Sequence, residues 1–281
     1  MPKESFQVTF WGVRGSLPVP GAETIRFGGN TSCVQVQIGE QLIIFDGGTG
    51  IYKLGQQLVK NPAPVKGDIF ITHTHWDHIQ GFPFFSPAFI PGNRFTLYGP
   101  AKTDNTFAEL MKGQMVYQHF PVSLDSMGAG IDFCELDSGE DLDLGNGVRI
   151  RTVHNNHPNG GISYRVDHEG RSVCYVTDTE HYEYIDPDIK SFISQADLVI
   201  YDTHFTDDEY HGYEGYPTKK GWGHSTWQEG IKLIEAAEAK KLVLFHHANF
   251  HNDKDMETIE KDARKRYSDC VAAREGMVIA L

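Results

Sequence analysis

The sequence predicts an α/β protein in which histidine and aspartate follow the ends of several buried strands. Apolar runs of strand length alternate with segments that carry apolar residues at helical spacing, which is typical of α/β proteins. Several of the strand-like runs end in histidine or aspartate, two residue types that bind divalent metals. No linker or change of composition interrupts the chain, so we predict a single domain over residues 1–281.

The elements of the first half are predicted from apolar periodicity and from the turn residues between them. Strands are predicted over residues 6–11, 33–38, 42–45, 69–72 and 95–98, and helices over residues 51–60 and 106–117. A glycine-rich loop over residues 12–30 precedes a hairpin that ends at Asp46. An aromatic segment over residues 82–89 is either core or a face on which a nucleobase stacks, and both interpretations are open.

The second half repeats the alternation of strands and helices. A short loop over residues 154–158 contains two histidines and precedes a strand that carries Tyr164 and Arg165. Strands are predicted over residues 132–136, 148–153, 160–166, 173–179, 198–205, 242–245 and 276–281, and helices over residues 226–237 and 253–267.

Residues 73–78, His-Thr-His-Trp-Asp-His, form the densest set of metal-binding groups in the sequence. They follow a buried strand and precede a glycine and a proline, which predicts that they lie where the strand ends. His73 and His75 are two residues apart and face the same way in extended chain, so they can bind one cation. Asp77 and His78 fall at the turn and can face a second cation about 3.5–4 Å from the first.

Composition restricts the classes of function. The chain has 281 residues, a formal net charge of −13 and no block of lysine and arginine, so we predict that an extended nucleic acid is disfavoured as a partner. A small anionic substrate attracted by metal cations is compatible with this charge. No apolar stretch reaches the length of a membrane span, and no export leader precedes the first strand, so we predict a cytoplasmic protein with no membrane partner.

The motif at residues 73–78 resembles the signature of the metallo-β-lactamase-fold hydrolases, and the likeness extends over most of the chain. The strand that ends in Asp178 and the later sequence Gly-His-Ser-Thr at residues 223–226 are similar to the ribonuclease Z branch. The glycine-rich opening loop resembles that of members that cleave cyclic nucleotides. The resemblance implies an α/β, four-layered αβ/βα sandwich with a dinuclear metal site at the strand-end edge. The family hydrolyses esters, thioesters, lactams and phosphodiesters, so the likeness fixes the fold better than the substrate.

A set of metal ligands is implied by the same resemblance. Asp178 matches the residue that bridges both metals, a task that suits the two oxygens of a carboxylate. His157 is chosen for its spacing from the following strand, with His154 as the reserve, and His246 is preferred to His247. The implied ligands are His73, His75, His157 and Asp178 for one metal and Asp77, His78, His246 and Asp178 for the other.

Further roles follow from the resemblance. Asp202 and His224 would assist at the scissile phosphate, and Asp77 would orient the nucleophile or take its proton. Asp46 would brace the ligand loop through hydrogen bonds. The structural alternatives are an ordinary turn aspartate at position 46 and a loop histidine at position 224, before a helix N-cap.

The residues together predict a dinuclear metal-dependent phosphodiesterase that hydrolyses a small phosphodiester, in particular a 3′,5′-cyclic nucleotide, by attack of a metal-bridged hydroxide. Zn²⁺ is the favoured ion, and Mn²⁺ or Fe also suits nitrogen and oxygen donors. The alternatives are a ribonuclease Z-like nuclease, a thioester hydrolase of glyoxalase II type and a metal-binding module without turnover. A homodimer is open because related enzymes form dimers.

Two features of the sequence favour some of these alternatives over others. The presence of Asp178 as a bridging carboxylate argues against lactam hydrolysis, because β-lactamases of the superfamily lack it. Ribonuclease Z grips tRNA with a basic arm inserted between the counterparts of His157 and Asp178, whereas here a tight two-strand connection is predicted. The sequence therefore favours a small substrate.

Overall fold

Apolar strands form two seven-stranded sheets, one in each of two units of the chain. The computed structural model describes residues 5–102, 104–213, 215 and 217–281. Unit 1 consists of the described residues up to Pro20, Gly28–Asp137 and Arg274–Leu281, and unit 2 consists of Gly21–Phe27 and the described residues of Ser138–Ala273. The single domain over residues 1–281 stays a prediction.

The elements are numbered along the chain. The strands are β1 (Phe6–Gly12), β2 (Cys33–Ile38), β3 (Gln41–Phe45), β4 (Lys66–Phe70), β5 (Arg94–Pro100), β6 (Gly130–Leu136), β7 (Asp141–Gly145), β8 (Val148–Asn155), β9 (Gly161–His168), β10 (Arg171–Val176), β11 (Leu198–Asp202), β12 (Leu242–Phe245), β13 (Cys270–Ala272) and β14 (Val278–Ala280). The α-helices are α1 (Gly50–Leu58), α2 (Trp76–Ile79), α3 (Phe107–Gly113), α4 (Pro187–Phe192), α5 (Asp207–His211), α6 (Trp227–Ala237) and α7 (Asp253–Arg266).

The sheet of unit 1 has the order β14-β1-β2-β3-β4-β5-β6. The first four strands in this order pair antiparallel, whereas β3 to β6 pair parallel. Phe45 lies opposite Phe70 and Phe70 opposite Tyr98, and the rings of Phe70 and Tyr98 stack with centroids 4.5 Å apart. Because β3 to β6 are parallel, their carboxyl ends meet at one edge of this sheet, where the polar residues that follow them are brought together.

The sheet of unit 2 has the order β13-β12-β11-β10-β9-β8-β7, with β10 to β13 parallel and β7 to β10 antiparallel. Helix α6 packs on β11 and β12 through a buried face that includes Ile231 and Ile234. Thr226 is the N-cap of this helix, and its side chain accepts a hydrogen bond from the Glu229 N–H. The carboxyl ends of β10, β11 and β12 therefore form a second polar edge.

The predicted α/β class is confirmed, because both sheets are mixed and are flanked by helices. Strands β10 and β11 end earlier than predicted, at Val176 and Asp202, since the chain turns away before the polar residues that follow. Strand β7 was missed because its Asp-Leu-Asp-Leu sequence is too acidic for a strand pattern. Helices α4 and α5 were missed because they are short, with six and five residues respectively.

Two further findings bear on the sequence predictions. None of the four cysteines forms a disulfide, and Cys33, Cys174 and Cys270 are buried while Cys134 is exposed. In the part of the chain that the structure describes, no helix is long and apolar enough to cross a membrane.

Asp68 on β4 gives unit 1 a testable dependence on pH. Burial raises the pKa of its carboxyl to about 6, above the value of about 4 for an unfolded aspartate. The stability contributed by the protonated carboxyl is thus complete below about pH 4 and is lost as the pH rises through 6. Allowing for its partial exposure, we expect Asp68→Asn to increase the free energy of unfolding by about 1 kcal/mol at pH 8 and to change it little at pH 4, in denaturant titrations.

The matched control is Asp132→Asn, because Asp132 is an exposed aspartate on β6 of the same sheet. This variant should change the free energy of unfolding by less than about 0.5 kcal/mol at pH 8, as surface substitutions usually do. A gain from Asp68→Asn that does not depend on pH would show that the charge of Asp68 is not the cause.

Candidate metal centre

Three residues at strand ends have a backbone conformation that is uncommon for residues other than glycine. Asp46 follows β3, Asp178 follows β10 and His246 follows β12, and their φ angles are 59°, 53° and 61°. A left-handed conformation costs energy and persists only where surrounding contacts enforce it, and such residues cluster at functional sites. All three residues lie at the two sheet edges that carry predicted ligands.

In unit 1, Asp46 holds the loop that contains residues 73–78. Its carboxylate accepts hydrogen bonds from the Thr72 N–H at 2.8 Å and from His78 Nδ1 at 2.7 Å, and both side chains are fully buried. The Thr72 hydroxyl lies 3.1 Å from both Asp46 oxygens and 3.1 Å from His73 Nδ1. These contacts are the bracing that the sequence analysis assigned to Asp46.

The four predicted ligands of unit 1 lie close together at the start of α2. The His73 ring lies 4.5 Å from the His75 ring and 4.3 Å from the His78 ring, measured between centroids. Asp77 Oδ2 lies 3.3 Å from His78 Nε2 and accepts a hydrogen bond from the Ser16 N–H at 2.7 Å. His75 is exposed, whereas the other three are buried. The opening glycine-rich loop thus contributes directly to the position of Asp77.

In unit 2, the structure brings together two aspartates and two histidines that the sequence analysis selected. The ligand atoms of Asp178, Asp202, His224 and His246 lie within 4.8 Å of one another, and all four residues are buried. Asp178 Oδ1 lies 3.1 Å from His246 Nε2, and Asp178 Oδ2 lies 3.9 Å from His224 Nδ1. The Thr177 hydroxyl donates to Asp178 Oδ1 at 2.8 Å. This cluster is competent to hold a divalent cation.

Asp202 is the anchor of the unit 2 cluster. One of its oxygens accepts from His224 Nδ1 at 2.9 Å and from the Thr179 N–H at 3.2 Å, and the other accepts from the His204 N–H at 3.0 Å. A carboxylate with three donors is strongly held, so it fixes the orientation of the His224 ring. Asp202 and His224 are therefore joined by a hydrogen bond, and their role at a phosphate stays a prediction.

His204 is a member of the cluster that the sequence analysis did not select. Its ring stacks on that of His224 with centroids 4.4 Å apart, and its ligand atoms lie within 4.8 Å of those of His224 and His246. His204 follows β11 by two residues, as His73 follows β4 by three. Its place after a strand end was the available signal, but a lone histidine there has no spacing pattern that distinguishes it.

His157 is better placed than its reserve. Its Nδ1 donates to the Gly223 carbonyl oxygen at 2.8 Å, and its Nε2 lies 3.8 Å from Asp178 Oδ2. His154, in contrast, is exposed on β8. His247 is buried, but its Nε2 donates to the Ala273 carbonyl and its ring meets the edge of Phe27, so it packs as a core residue. The preference for His157 and His246 as metal ligands stays a prediction.

Hydrogen bonds set the tautomer of four histidines. His78 and His224 direct Nδ1 at carboxylates, whereas His157 and His204 direct Nδ1 at carbonyl oxygens. A carbonyl oxygen only accepts, so Nδ1 must carry the proton, and the lone pair of a neutral ring is on Nε2. Metal-binding histidines in proteins are commonly oriented in this way.

Burial keeps two of these rings neutral. It lowers the pKa of His157, although the charge of Asp178 and the hydrogen bond to Gly223 act in the opposite direction. Burial, with the neighbouring His224 and His246, also holds the pKa of His204 well below its usual value. A neutral imidazole can donate its lone pair to a cation, so these rings are suited to be ligands.

The donor chemistry of the centre fits divalent metals that accept imidazole and carboxylate. All of the predicted ligands offer nitrogen or oxygen, a set that suits Zn²⁺, Mn²⁺ and Fe. Cys174 is four residues before Asp178, but it lies in the apolar core of unit 2, where burial raises the pKa of its thiol to about 12. It therefore remains a protonated core residue and contributes no thiolate ligand.

Comparisons with known proteins agree on one family. Residues 41–247 match the family model described as beta-lactamase superfamily domain. The ribonuclease Z of Picrophilus torridus is 23% identical, over 96% of this chain and 94% of its own length, and that of Thermoplasma acidophilum is 24% identical over 97% and 95%.

Solved structures resemble the whole chain. The metallo-beta-lactamase fold protein YhfI of Bacillus subtilis superposes with a TM-score of 0.73 at 20% identity, covering 99% of this chain and all of that one. Human tRNase Z, short form, gives 0.68 at 20% identity over 97% and 98%, and unliganded yeast PDE1 gives 0.68 at 16% identity over 99% and 100%. At these identities the likeness is one of fold.

One sequence-based prediction is wrong. An extended nucleic acid was disfavoured as a partner, but ribonucleases Z are similar to this chain over nearly its entire length. The prediction failed because it was based on the net charge of the whole chain. The value of −13 sums charges over the whole surface, whereas phosphate binding depends on the potential where the substrate lies, which bound divalent cations would dominate.

Gly223 offers a direct test of the position of His157. Its φ is +85°, and a Cβ atom added there would lie 2.2 Å from His157 Nδ1 and 2.3 Å from Pro158 Cδ. We expect Gly223→Ala to displace the His157 ring and to weaken metal binding about 10-fold, the effect typical of losing a ligand's hydrogen-bond partner. Calorimetric titration of the metal-free protein with Zn²⁺ measures this affinity.

Gly170→Ala is the matched control, because Gly170 has φ +74° and an added Cβ there meets nothing within 4 Å. Both variants carry the same backbone strain, and only one of them contacts His157. Equal Zn²⁺ affinities for the two variants would remove His157 from the ligand set.

Proposed function

Because the chain belongs to the beta-lactamase superfamily and is therefore a metal-dependent hydrolase, we propose that its substrate is a phosphodiester. The metallo-β-lactamase fold expected from the sequence is confirmed by the likeness over the whole chain. The observation that carries the proposal is the Asp202–His224 pair beside Asp178. A lactamase or thioesterase reaction requires no such pair, whereas phosphodiester cleavage has a use for both of its residues.

The chemistry assigned to the pair follows from its geometry. Asp202 holds Nδ1 of His224, so Nε2 is the atom that can reach a substrate. In its protonated form, His224 can donate a hydrogen bond to a phosphoryl oxygen and then a proton to the departing alkoxide. Asp202 stabilises the imidazolium and keeps the ring from rotating. Asp77, which the Ser16 N–H orients, is proposed to accept the proton of the attacking water.

We propose that two divalent ions, Zn²⁺ first and Mn²⁺ or Fe as alternatives, complete the active protein. The proposed ligands are His73, His75, Asp77 and His78 of unit 1 and His157, Asp178 and His246 of unit 2. Such ions supply a nucleophilic water at neutral pH and positive charge for the phosphate oxygens. The support is the donor chemistry described above and the orientation of the histidine rings.

A 3′,5′-cyclic nucleotide is the proposed substrate, and the segment between His157 and Asp178 supports a small one. That segment is the β9–β10 hairpin, whose strands are joined by Glu169 and Gly170 with φ angles of 48° and 74°. Two residues with positive φ form a tight hairpin turn, which leaves no room for an inserted arm.

RNA is the second candidate, because ribonucleases Z of two archaeal species are similar over nearly the whole chain. The two candidates share the cleavage of a P–O bond and differ in the size of the substrate. Both use the proposed residues in the same way, so the ligands alone do not separate them.

A substrate panel tests the proposed function. We expect the Zn²⁺- or Mn²⁺-loaded protein to hydrolyse 3′,5′-cyclic AMP and an aryl phosphodiester, measured by chromatography and absorbance, and to leave a glutathione thioester intact. Cleavage of a tRNA precursor with much higher kcat/KM than cyclic AMP would replace the first candidate by the second. Hydrolysis of the thioester alone would overturn the proposal, and inactivity on all four with both metals bound would indicate a binding module.

His224→Ala separates catalysis from metal binding. Loss of the proposed proton donor should lower kcat on an aryl phosphodiester about 100-fold while the metal content per chain stays unchanged. Metal content is measured by mass spectrometry of the ions. His154→Ala is the control, since His154 is exposed, and it should match the wild type in both measurements. Loss of metal from the His224→Ala protein would instead make His224 a ligand.

A further inference from the structure

Glu180 makes hydrogen bonds that have no part in the proposed metal binding or in the proposed proton transfers. It follows Asp178 by two residues, and its side-chain carboxylate accepts three hydrogen bonds. Oε1 accepts from the Tyr210 hydroxyl at 2.7 Å and from the Gly221 N–H at 2.7 Å, and Oε2 accepts from the Gly223 N–H at 2.8 Å. The Glu180 carboxylate therefore holds in place the segment directly before His224, through Gly221 and Gly223.

The backbone of Glu180 fastens a second segment. Its N–H donates to the Asn156 carbonyl at 2.8 Å, and the Asn156 side-chain amide donates to the Glu180 carbonyl at 2.9 Å. Asn156 is the residue before His157. Glu180 thus connects the chain on either side of two histidines, His157 and His224, that are far apart in sequence.

Gly223 is the link between Glu180 and the His157 ring. Its N–H donates to Glu180, and its carbonyl oxygen accepts from His157 Nδ1 at 2.8 Å. Gly223 has a positive φ, and a Cβ added there would clash with His157 Nδ1, so only glycine fits this position. A shift of the Gly223 N–H away from Glu180 would move the carbonyl that holds the imidazole.

We propose that Glu180 is a positioning residue that sets the orientation and the tautomer of His157 through Gly223. The carboxylate holds Gly223, the Gly223 carbonyl holds the proton on His157 Nδ1, and the lone pair on Nε2 is thereby presented toward Asp178. The effect of Glu180 on turnover rests on the proposed function, whereas its effect on the His157 ring does not.

A carboxylate suits this position better than any neutral side chain. Three donors converge on Glu180, and an ionised carboxylate is an acceptor at both oxygens. A glutamine would keep one oxygen and would turn an NH₂ group toward a donor, which leaves one of the two glycine N–H groups opposed by another donor. Burial, followed by the hydrogen bond to Glu180, raises the pKa of Tyr210, so its hydroxyl remains a donor.

The test compares Glu180→Gln with Tyr210→Phe. The first variant has nearly the same shape but disturbs the bonds to the glycines, and the second removes only the tyrosine hydroxyl. Imidazole ¹⁵N shifts in the metal-free protein report the tautomer, with the His157 signals assigned by their loss in His157→Asn. We expect wild type and Tyr210→Phe to have the proton on Nδ1 and Glu180→Gln to show a mixture of both tautomers.

Metal affinity gives an independent measurement. In calorimetric titrations with Zn²⁺, Glu180→Gln should bind about 10-fold more weakly than wild type, and Tyr210→Phe should stay within about twofold. Glu180→Asp restores the charge on a side chain one methylene shorter and should recover part of the loss, and it also serves if Glu180→Gln does not fold.

The outcomes separate positioning from general stability. An unchanged His157 tautomer and unchanged Zn²⁺ affinity in Glu180→Gln would overturn the proposal. Equal losses in Glu180→Gln and Tyr210→Phe would also overturn it, because they would indicate that the loop as a whole is loosened. A wild-type protein that hydrolyses no phosphodiester would refute the proposed function, and the tautomer and affinity would still decide the role of Glu180.

Discussion

Buried carboxylates that bind imidazole Nδ1 are the interaction on which the candidate metal centre depends. Asp46 holds His78 and Asp202 holds His224, at 2.7 and 2.9 Å. Each carboxylate also accepts a backbone N–H from the chain that follows a neighbouring strand, Thr72 after β4 for Asp46 and Thr179 after β10 for Asp202, so the sheet itself sets its position. A ring that is held at one nitrogen cannot turn over, and its other nitrogen keeps one direction. The rings of His78 and His224 are therefore held in a fixed orientation by carboxylates whose own positions are set by the strands.

Parallel strands explain why the carboxylates and histidines of each unit lie close together within that unit. In each unit, adjacent parallel strands end at the same edge of the sheet, and the polar residues come directly after the last hydrogen-bonded pair. The left-handed residues Asp46, Asp178 and His246 turn the chain sharply at that point, so their side chains are directed by the backbone and not by a flexible loop. Strain in these three residues is accepted because the surrounding hydrogen bonds outweigh it.

The sequence was informative where a signal was local. Residues 73–78 could be selected because six consecutive positions have a dense pattern, and Asp178 and His246 because each follows an apolar strand and matches a ligand position of the family. His204 also follows a strand, but a single histidine gives no spacing to interpret. Glu180 could not be found, since its three donors are 30, 41 and 43 residues away. The prediction that nucleic acid is disfavoured was wrong because net charge sums over the whole surface, including groups that contact no substrate.

The pairing of β14 with β1 has a consequence for how the protein is made. Unit 1 takes strands from both sides of unit 2 in the sequence, and Val8 on β1 lies opposite Ile279 on β14. A ribosome must therefore translate all of unit 2 before the outer edge of β1 can be covered. Until then, a row of unsatisfied backbone groups is open to strands of other nascent chains. Translation that stalls within unit 2 should accordingly release fragments in which this edge of β1 is exposed.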